Sequence, residues 1–442
     1  MIRPMRYGPV ALALLLLVPS LLRAQEAPAA KPEVVALKAA RLFDGRGDAA
    51  VANGVVIVEG GKIRAAGSGI PIPAGARVID LGDATLLPGL IDAHTHLTIE
   101  STDNWLQETL DGFRRTTPEV AIRATAYARK ILMAGFTTVR DVGSGDYIDV
   151  GLRNSIDGGV VPGPRMMVAV HALGARGGHC DDGGFPFGFF GDEPGIELGI
   201  ASGADQFRDS VRFQVKYGAD VIKICATGGV LSLNDEVDTP QLTQEEMNAI
   251  VEEAHRLRKK VAAHAHGSEG AKYAIRAGVD SIEHGSFLDD EALRMMKEHG
   301  TYLVPTLLAG EYTAGRAGIR HYPPEIAAKA KAALAARSDM FRRALKRGVK
   351  IAFGTDSAVS PHGINAQEFS LLVGLGMTPA AALRAATSSA ADLLGLSKTI
   401  GTLEPGKDAD VVAVPGDPFA DIKVMEKVSF VMKGGEVFKN ER

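Results

Sequence analysis

Cysteine is scarce in this 442-residue chain, which contains only Cys180 and Cys225. Small secreted domains that lack a large core are held together by several disulfides, and two cysteines cannot supply such a framework. The spacing of the two does not establish a bridge between them. We therefore expect a pair of reduced thiols.

A surplus of basic residues is also missing. The chain has 49 Lys and Arg against 53 Asp and Glu, a formal net charge of −4, and no long run of one sign. Nucleic-acid-binding domains concentrate positive charge on one face or in one segment. We therefore do not expect the protein to bind nucleic acid.

Long hydrophobic runs are limited to Val10–Leu22, which is too short for a comfortable membrane span. Two arginines precede this run and Ala24 follows it, as is typical of a secretory signal. We expect residues 1–24 to be removed on export to the periplasm, residues 25–33 to form a disordered leader, and the mature chain to have no membrane partner. An uncleaved membrane anchor is the alternative.

Helix signals are missing from both ends of the mature chain, residues 34–86 and 399–442. Each segment instead contains short apolar runs closed by turns, such as Val55–Val58 followed by Gly60 and Gly61. In the simplest arrangement, the strands of the two ends pair with each other, and we therefore expect them to form one small β-sandwich domain.

Between them, residues 87–398 alternate strand-like runs with helical patterns. The strand candidates are Gly89–His96, Thr137–Val142, Arg165–Val170, Val221–Cys225, Val261–His266, Ser281–His284, Tyr302–Leu307 and Lys350–Thr355. Helix starts are indicated by a capping box from Thr243 to Glu246 and by Thr378 before a proline. The pattern predicts an α/β fold, a (β/α)₈ TIM barrel, with a doubly wound sheet as the alternative.

Metal-binding or ionisable side chains lie in or at the end of five of these strands, where barrel enzymes place their active sites. These residues are His94, His96, Lys223, His264, His266, His284 and Asp356. His94 and His96 are two positions apart in a strand, so their imidazoles face the same side. Two converging imidazoles are typical of a metal site.

Lys223 and Asp356 each allow two interpretations. Burial lowers the pKa of a lysine, and the neutral amine can take up carbon dioxide to give a carbamate that bridges two metals. The alternative for Lys223 is an unmodified amine paired with Asp or Glu. Asp356 is suited to binding a metal and carrying a proton to the leaving nitrogen, or else to capping a helix.

The chain resembles the amidohydrolase superfamily over almost its whole mature length. The resemblance is carried by the motifs Leu87–His96, Val221–Gly229, Val261–Gly267, Ser281–Gly285 and Phe353–Ser357. Within the superfamily it is similar to the binuclear, imidazolonepropionase-related branch of Xaa-Pro dipeptidases, Xaa-Arg/Lys carboxypeptidases and ochratoxin-hydrolysing amidases.

The resemblance implies two divalent metal ions, which we expect to be zinc, although manganese or cobalt would also suit the ligands. It implies that His94, His96 and Asp356 hold one ion, that His264 and His284 hold the other, and that carboxylated Lys223 bridges them. Further residues on the same rim are candidates for substrate contact, the glycines through their backbone. These are His171, His179, His266, Gly228 and Gly229.

These features predict a metal-dependent amidohydrolase that cleaves dipeptides or N-acyl amino acids by attack of metal-bound hydroxide. We expect a homo-oligomer acting on a small-molecule substrate. One alternative is a cyclic amide hydrolase or deaminase with a mononuclear site, which would not need Lys223. The other is a non-catalytic binding protein on an inherited barrel. The sequence does not identify the substrate, the physiological metal or the oligomer size.

Overall fold

The computed structural model describes residues 33–181, 185–186, 188–189, 191–233 and 235–441. The predicted signal, residues 1–24, and all but the last residue of the predicted leader lie outside these ranges. No helix within them combines the length and the apolar character that crossing a bilayer would require.

The secondary structure alternates in type along the middle of the chain and is mainly β at both ends, where one 3-10 helix, Ile422–Lys427, lies between strands. The strands are β1 (Val34–Leu42), β2 (Val51–Glu59), β3 (Lys62–Ser68), β4 (Arg77–Asp80), β5 (Ala84–Pro88), β6 (Leu90–Thr95), β7 (Phe136–Asp141), β8 (Arg165–Val168), β9 (Gly174–Ala175), β10 (Ile200–Ala201), β11 (Val221–Cys225), β12 (Lys260–Gly267), β13 (Ser281–Phe287), β14 (Tyr302–Val304), β15 (Val411–Pro415), β16 (Phe430–Lys433) and β17 (Glu436–Asn440). The α-helices are α1 (Trp105–Arg114), α2 (Thr117–Met133), α3 (Ile148–Asp157), α4 (Ala204–Lys216), α5 (Gln244–Arg256), α6 (Ser268–Ala277), α7 (Asp290–His299), α8 (Leu307–Gly315), α9 (Ala317–Arg320), α10 (Pro324–Arg347), α11 (Gln367–Gly374), α12 (Pro379–Arg384) and α13 (Ala390–Leu393).

One sheet contains strands from both ends of the chain. Its order is β17-β16-β15-β5-β1-β2-β3, and β4 pairs with β1. The junction between the two ends is the antiparallel pair β5 and β15, in which Leu87 lies opposite Val412. Buried residues such as Leu37, Val56 and Met432 form a separate core against this sheet. The β-rich part is therefore confirmed, whereas its division into the two layers of a sandwich stays a prediction.

The middle of the chain is α/β, as predicted, with parallel sheets β6-β7-β8 and β11-β12-β13-β14. The eighth predicted strand, Lys350–Thr355, does not form a regular strand. It makes a single bridge from Ile351 to Leu303 of β14, and the Ala93 amide of β6 donates to the carbonyl of Phe353 at 2.9 Å. Closure of the barrel stays a prediction.

The helix starts that the sequence indicated are present. The Thr243 side chain accepts from the Glu246 amide, and Glu246 bonds back to the Thr243 amide, which satisfies two backbone donors at the start of α5. The Thr378 side chain accepts from the Ala381 amide at the start of α12. The helices pack around the parallel strands and leave the carboxyl ends of β6, β11, β12 and β13 to form the walls of one cavity.

Candidate metal centre

Six of the predicted site residues meet in two neighbouring groups. The groups are His94 with His96 and Asp356, and His264 with His266 and His284. Within each group one ligand atom per residue lies within 4.8 Å of the others. The rings of His94 and His284 approach to 4.9 Å between centroids, so the two groups adjoin.

The first group joins β6 to the irregular eighth segment. Asp356 Oδ1 lies 3.6 Å from His94 Nε2 and 3.5 Å from His96 Nε2. Asp356 reaches this position with a φ of 57°, a left-handed conformation that costs free energy and is concentrated at functional sites. None of the described helices starts at Asp356, so its alternative role as a cap is not observed.

Lys223 lies on β11 and lines the same cavity, with 4% of its surface exposed. Burial lowers the pKa of its amine to about 8, against the opposing charges of Glu283 and Asp356. Within the described ranges Lys223 makes no ion pair, although the unmodified alternative required one. A buried amine without a carboxylate partner is suited to carbamate formation.

Hydrogen bonds fix the imidazoles of His94, in β6, and of His96, which follows it, with Nε2 free. His94 Nδ1 lies 2.7 Å from Glu283 Oε2, and His96 Nδ1 lies 2.9 Å from the carbonyl of Gly143. Each of these partners accepts a proton from Nδ1, so the lone pair is left on Nε2. A histidine that binds a metal uses the same arrangement.

The second group is oriented in a related way. His284 Nδ1 lies 2.7 Å from the hydroxyl of Thr306, whereas His264 turns its Nε2 towards the carbonyl of Gly228 at 3.2 Å. His264 therefore has Nδ1 free, and His284 has Nε2 free. His284 also has a positive φ, of 69°, within β13. These donors fit divalent cations such as zinc.

Burial keeps all of these imidazoles neutral at pH 7. It lowers the pKa of His96 to about 4 and of His266 to about 3, and it lowers the pKa values of His94, His264 and His284 well below the usual range. The positive charge of Lys223 acts in the same direction. Neutral imidazoles are the form that binds metal.

A buried ion pair lies beneath the site, and it does not join Arg140 to its neighbour in sequence, Asp141. Arg140 instead binds Glu283 on β13, with 2.8 Å between Nη2 and Oε1. Adjacent residues of a strand point to opposite faces, so Arg140 turns inward while Asp141 accepts from the Leu97 amide. The contact joins strands far apart in sequence, and no local pattern indicates it.

A cavity of about 560 Å³ opens over the two groups. His171, His179 and His266 all line it, as expected of residues that contact substrate. The ring of His179 lies 4.2 Å from that of His264, measured between centroids. His171 Nδ1 is enclosed without a hydrogen-bond partner among the described residues.

His179 is held by a chain of polar contacts that the sequence did not reveal. Its Nδ1 lies 2.8 Å from the hydroxyl of Ser232, which donates to Asp235 at 2.8 Å. Lys329 Nζ, from α10, lies 2.8 Å from Asp235 Oδ1. Because the single hydroxyl proton goes to Asp235, Ser232 accepts from His179, whose Nε2 is left free.

The two cysteines are joined by a disulfide, so the expectation of reduced thiols is wrong. Cys180 follows His179, and Cys225 ends β11 two residues after Lys223. They are 45 residues apart in sequence but have Cα atoms 6.0 Å apart. The sequence could not show this proximity, since it depends on how the loop after β9 returns to β11.

Gly228 and Gly229 are explained by packing within the chain. A Cβ on Gly228 would lie 2.1 Å from the carbonyl oxygen of Glu236, and one on Gly229 would lie 2.1 Å from the ring of His179. Neither glycine lines the cavity. Their predicted contact with substrate stays a prediction.

Several known proteins are similar to this chain in sequence and in fold. A profile of the amidohydrolase family matches residues 85–438. Ochratoxinase from Aspergillus niger is 35% identical over 370 residues, which are 80% of this chain and 75% of that protein. Imidazolonepropionase from Geobacillus thermodenitrificans is 32% identical over 212 residues, which are 45% of this chain and 44% of that protein.

Solved structures agree with the family match. The crystal structure of a Xaa-Pro dipeptidase with methionine bound in its active site is 40% identical, with a TM-score of 0.89 over 92% of this chain and all of that one. The structure of Aspergillus niger ochratoxinase is 32% identical, with a TM-score of 0.82 over 93% of this chain and 96% of that one. The chain therefore belongs to the amidohydrolase family and is a hydrolase of C–N bonds.

Proposed function

We propose that this protein is a two-metal hydrolase that cleaves the amide bond of dipeptides or N-acyl amino acids. The proposal rests on one observation: two ligand groups lie side by side in one cavity. The cavity also contains the amine of Lys223, which forms no ion pair with any described residue. Its similarity to a Xaa-Pro dipeptidase and to an ochratoxinase supports this choice of substrate. A site of one cation would need neither the second group nor Lys223.

We assign the ligands as the sequence resemblance implies. His94, His96 and Asp356 hold one ion, while His264 and His284 hold the second. Lys223, carboxylated by carbon dioxide, would supply oxygen ligands to both, and zinc suits this set of nitrogen and oxygen donors. When bound, the two ions supply Lewis acidity to the amide carbonyl and lower the pKa of water.

The chain's own residues move the proton and orient the substrate. Burial raises the pKa of Asp356 to about 6, so its carboxylate is ionised at neutral pH yet basic enough to accept a proton. In the proposal, Asp356 takes the proton of the attacking water and passes it to the departing nitrogen. His171, His179 and His266 contact the substrate from the cavity wall.

The larger organisation is part of the same proposal. We assign residues 87–398 to a closed barrel, and residues 34–86 with 399–442 to a β-sandwich. Support for closure comes from the backbone bonds of residues 350–356, which reach β14 on one side and β6 on the other. Export to the periplasm and assembly into a homo-oligomer rest on the sequence pattern and the resemblance alone.

The test is metal analysis combined with hydrolysis of a panel of dipeptides and N-acyl amino acids by zinc-loaded protein. We expect two ions per chain and turnover of some members of the panel. Lys223→Ala should lose bound metal and nearly all activity, whereas Lys346→Ala, an exposed lysine of α10, should retain both.

Two outcomes would contradict the proposal. Full activity and metal content in Lys223→Ala would favour a mononuclear cyclic amide hydrolase or deaminase. A protein that binds no metal and hydrolyses nothing in the panel would be a non-catalytic member of the family.

A further inference from the structure

One face of α10 forms part of the cavity wall. Ala330, Ala333, Leu334 and Arg337 all line the cavity, and their spacing of three and four residues places them along the same side of the helix. The first three present an apolar surface. Arg337 ends this row with a guanidinium group.

Arg337 is deeply buried and incompletely paired. Its side chain is 5% exposed, and Nη2 forms an ion pair with Glu311 Oε1 at 3.0 Å. Nε is enclosed and has no partner among the described residues, and no hydrogen bond from Nη1 is found there either. Burial lowers the pKa of Arg337 below its usual value, but a guanidinium stays protonated in proteins.

The surrounding carboxyl groups do not complete the pairing. Glu311 is 49% exposed and its attraction is therefore screened by solvent. Glu368 acts on Arg337 electrostatically, but burial raises the pKa of Glu368 to about 8, so it is mostly protonated at neutral pH. Leaving donors of a buried cation unused costs free energy, which an incoming anion would recover.

The cavity itself offers no such anion near the apolar wall. Among its described lining residues, Arg337 is the cation outside the ligand groups once Lys223 is carboxylated, and the single aspartate or glutamate is Asp356. Asp356 belongs to the first ligand group. A planar guanidinium binds a carboxylate through parallel hydrogen bonds, and so selects the geometry as well as the charge of its partner.

We propose that Arg337 binds the free carboxylate of the substrate's leaving amino acid, while the apolar side chain of that amino acid packs on Ala333 and Leu334. This inference rests on the proposed function and narrows it. The substrate is an N-acyl or N-aminoacyl derivative of an apolar amino acid with an unblocked carboxyl group. Arg337 is thus a specificity residue and takes no part in moving protons.

Gly310 of α8 fixes where the guanidinium lies. A Cβ at this position would be 1.8 Å from Arg337 Nη1, so the side chain of Arg337 would have to move. The φ of Gly310 does not lie in the left-handed region, and the atom displaced is the end of a flexible chain. Gly310→Ala therefore shifts the guanidinium without removing its charge.

The experiment compares two amides that differ only in the carboxylate. The substrates are N-benzoyl-leucine and N-benzoyl-isoamylamine, whose leaving group is leucine without its carboxyl group. For the wild-type protein loaded with zinc, we expect kcat/KM to be about 100-fold higher for the acid than for the neutral amide. The reason is that a buried guanidinium forms charge-assisted hydrogen bonds with the carboxylate of the acid alone. Arg337→Gln should reduce this ratio to below about 5, mainly by raising KM for the acid.

Two further variants separate recognition from folding. Gly310→Ala should lower the ratio by about 10-fold with both metal ions retained. Arg342→Gln, the same change at an exposed arginine of the same helix, should leave it unchanged. Equal loss for both amides in Arg337→Gln, or an unchanged ratio, would overturn the inference.

Binding of the product separates this inference from the proposed function. Leucine and isoamylamine are titrated into zinc-loaded protein by calorimetry, which needs no turnover. We expect leucine to bind about 30-fold more weakly to Arg337→Gln than to the wild type, since a hydrogen-bonded charge is lost. If the wild type hydrolyses neither amide but shows this difference, the proposed reaction fails and the carboxylate site stands. If leucine binds both proteins equally, the carboxylate site fails.

Discussion

Glu283 Oε2 lies 2.7 Å from His94 Nδ1, and neither side chain is more than 1% exposed. The other oxygen of Glu283 accepts from Arg140 at 2.8 Å. The imidazole is therefore locked in one tautomer, with Nε2 towards Asp356, by groups that never touch a substrate.

Glu283→Gln should weaken metal binding by about 10- to 100-fold, because the amide holds the imidazole less firmly and makes it less basic. The measurement is competition with a chromophoric chelator, followed by activity at saturating zinc. Activity should recover in large part once the metal is supplied in excess.

The matched control is Glu298→Gln, at an exposed residue of α7 that pairs with Arg294. It should bind metal like the wild type. Unchanged affinity in Glu283→Gln would show that the contact with His94 serves only to bury Arg140.

Reduction of the disulfide between Cys180 and Cys225 should destabilise the fold by about 2–4 kcal/mol, since it closes a long loop. KM should also rise, because Cys180 is the neighbour of His179 at the cavity wall. The measurement is thermal unfolding and steady-state kinetics with and without dithiothreitol. In the control, the double variant Cys180→Ser/Cys225→Ser, dithiothreitol should change neither the stability nor KM. If it changes neither of them in the wild type, the expectation is wrong.

Ser232→Ala should reduce kcat/KM by roughly 10-fold without loss of metal, because His179 loses the acceptor that orients its ring. Metal analysis and kinetics on one preparation distinguish this from damage to the metal centre. Ser338→Ala, on the more distant part of α10, is the control. If the variant loses metal in proportion to activity, Ser232 acts by supporting His264 through the neighbouring ring of His179, and not by placing His179 for substrate contact.

Glu368 should make the unfolding free energy depend on pH. Burial raises its pKa from 4.5 to about 8, although the amides of Leu307 and Leu308 oppose the shift. A carboxyl group whose pKa rises on folding stabilises the fold at low pH, and this contribution is lost as the pH rises from about 4.5 towards 8. Relative to Glu368→Gln, the wild type should therefore lose stability between pH 5 and pH 8, as measured by chemical unfolding. A difference between the two proteins that is constant over this range would contradict the raised pKa.

The sequence was sufficient for the parts of the molecule that follow from local pattern. Period-two alternation placed His94 and His96 on one side of a strand, and the repeat of strands and helices placed Lys223 and His284 at the same rim. Most strands lie within a few residues of their predicted bounds. The exception, Lys350–Thr355, has the composition of a strand, but Asp356 leaves the extended conformation immediately after it.

What the sequence could not supply are contacts between residues far apart in the chain. Glu283 with Arg140, Cys180 with Cys225, and the row on α10 that ends in Arg337 depend on tertiary packing. Nothing near Arg140 in sequence distinguishes Glu283 from the adjacent Asp141 as its partner. The N–H groups of Arg337 that lack a hydrogen-bond partner among the described residues can be identified only when the burial of Arg337 and its neighbours are known.

The pairing of β5 with β15 has a consequence for how the protein is made. Gly89, one residue before β6, donates its amide to the carbonyl of Asp410, 321 positions later in the chain. The strand that presents His94 also bonds to Phe353 and Asp356, so its surroundings are incomplete until nearly the whole polypeptide has left the ribosome. In the proposed two-metal enzyme, a chain truncated before β15 should therefore bind metal more weakly than the whole chain.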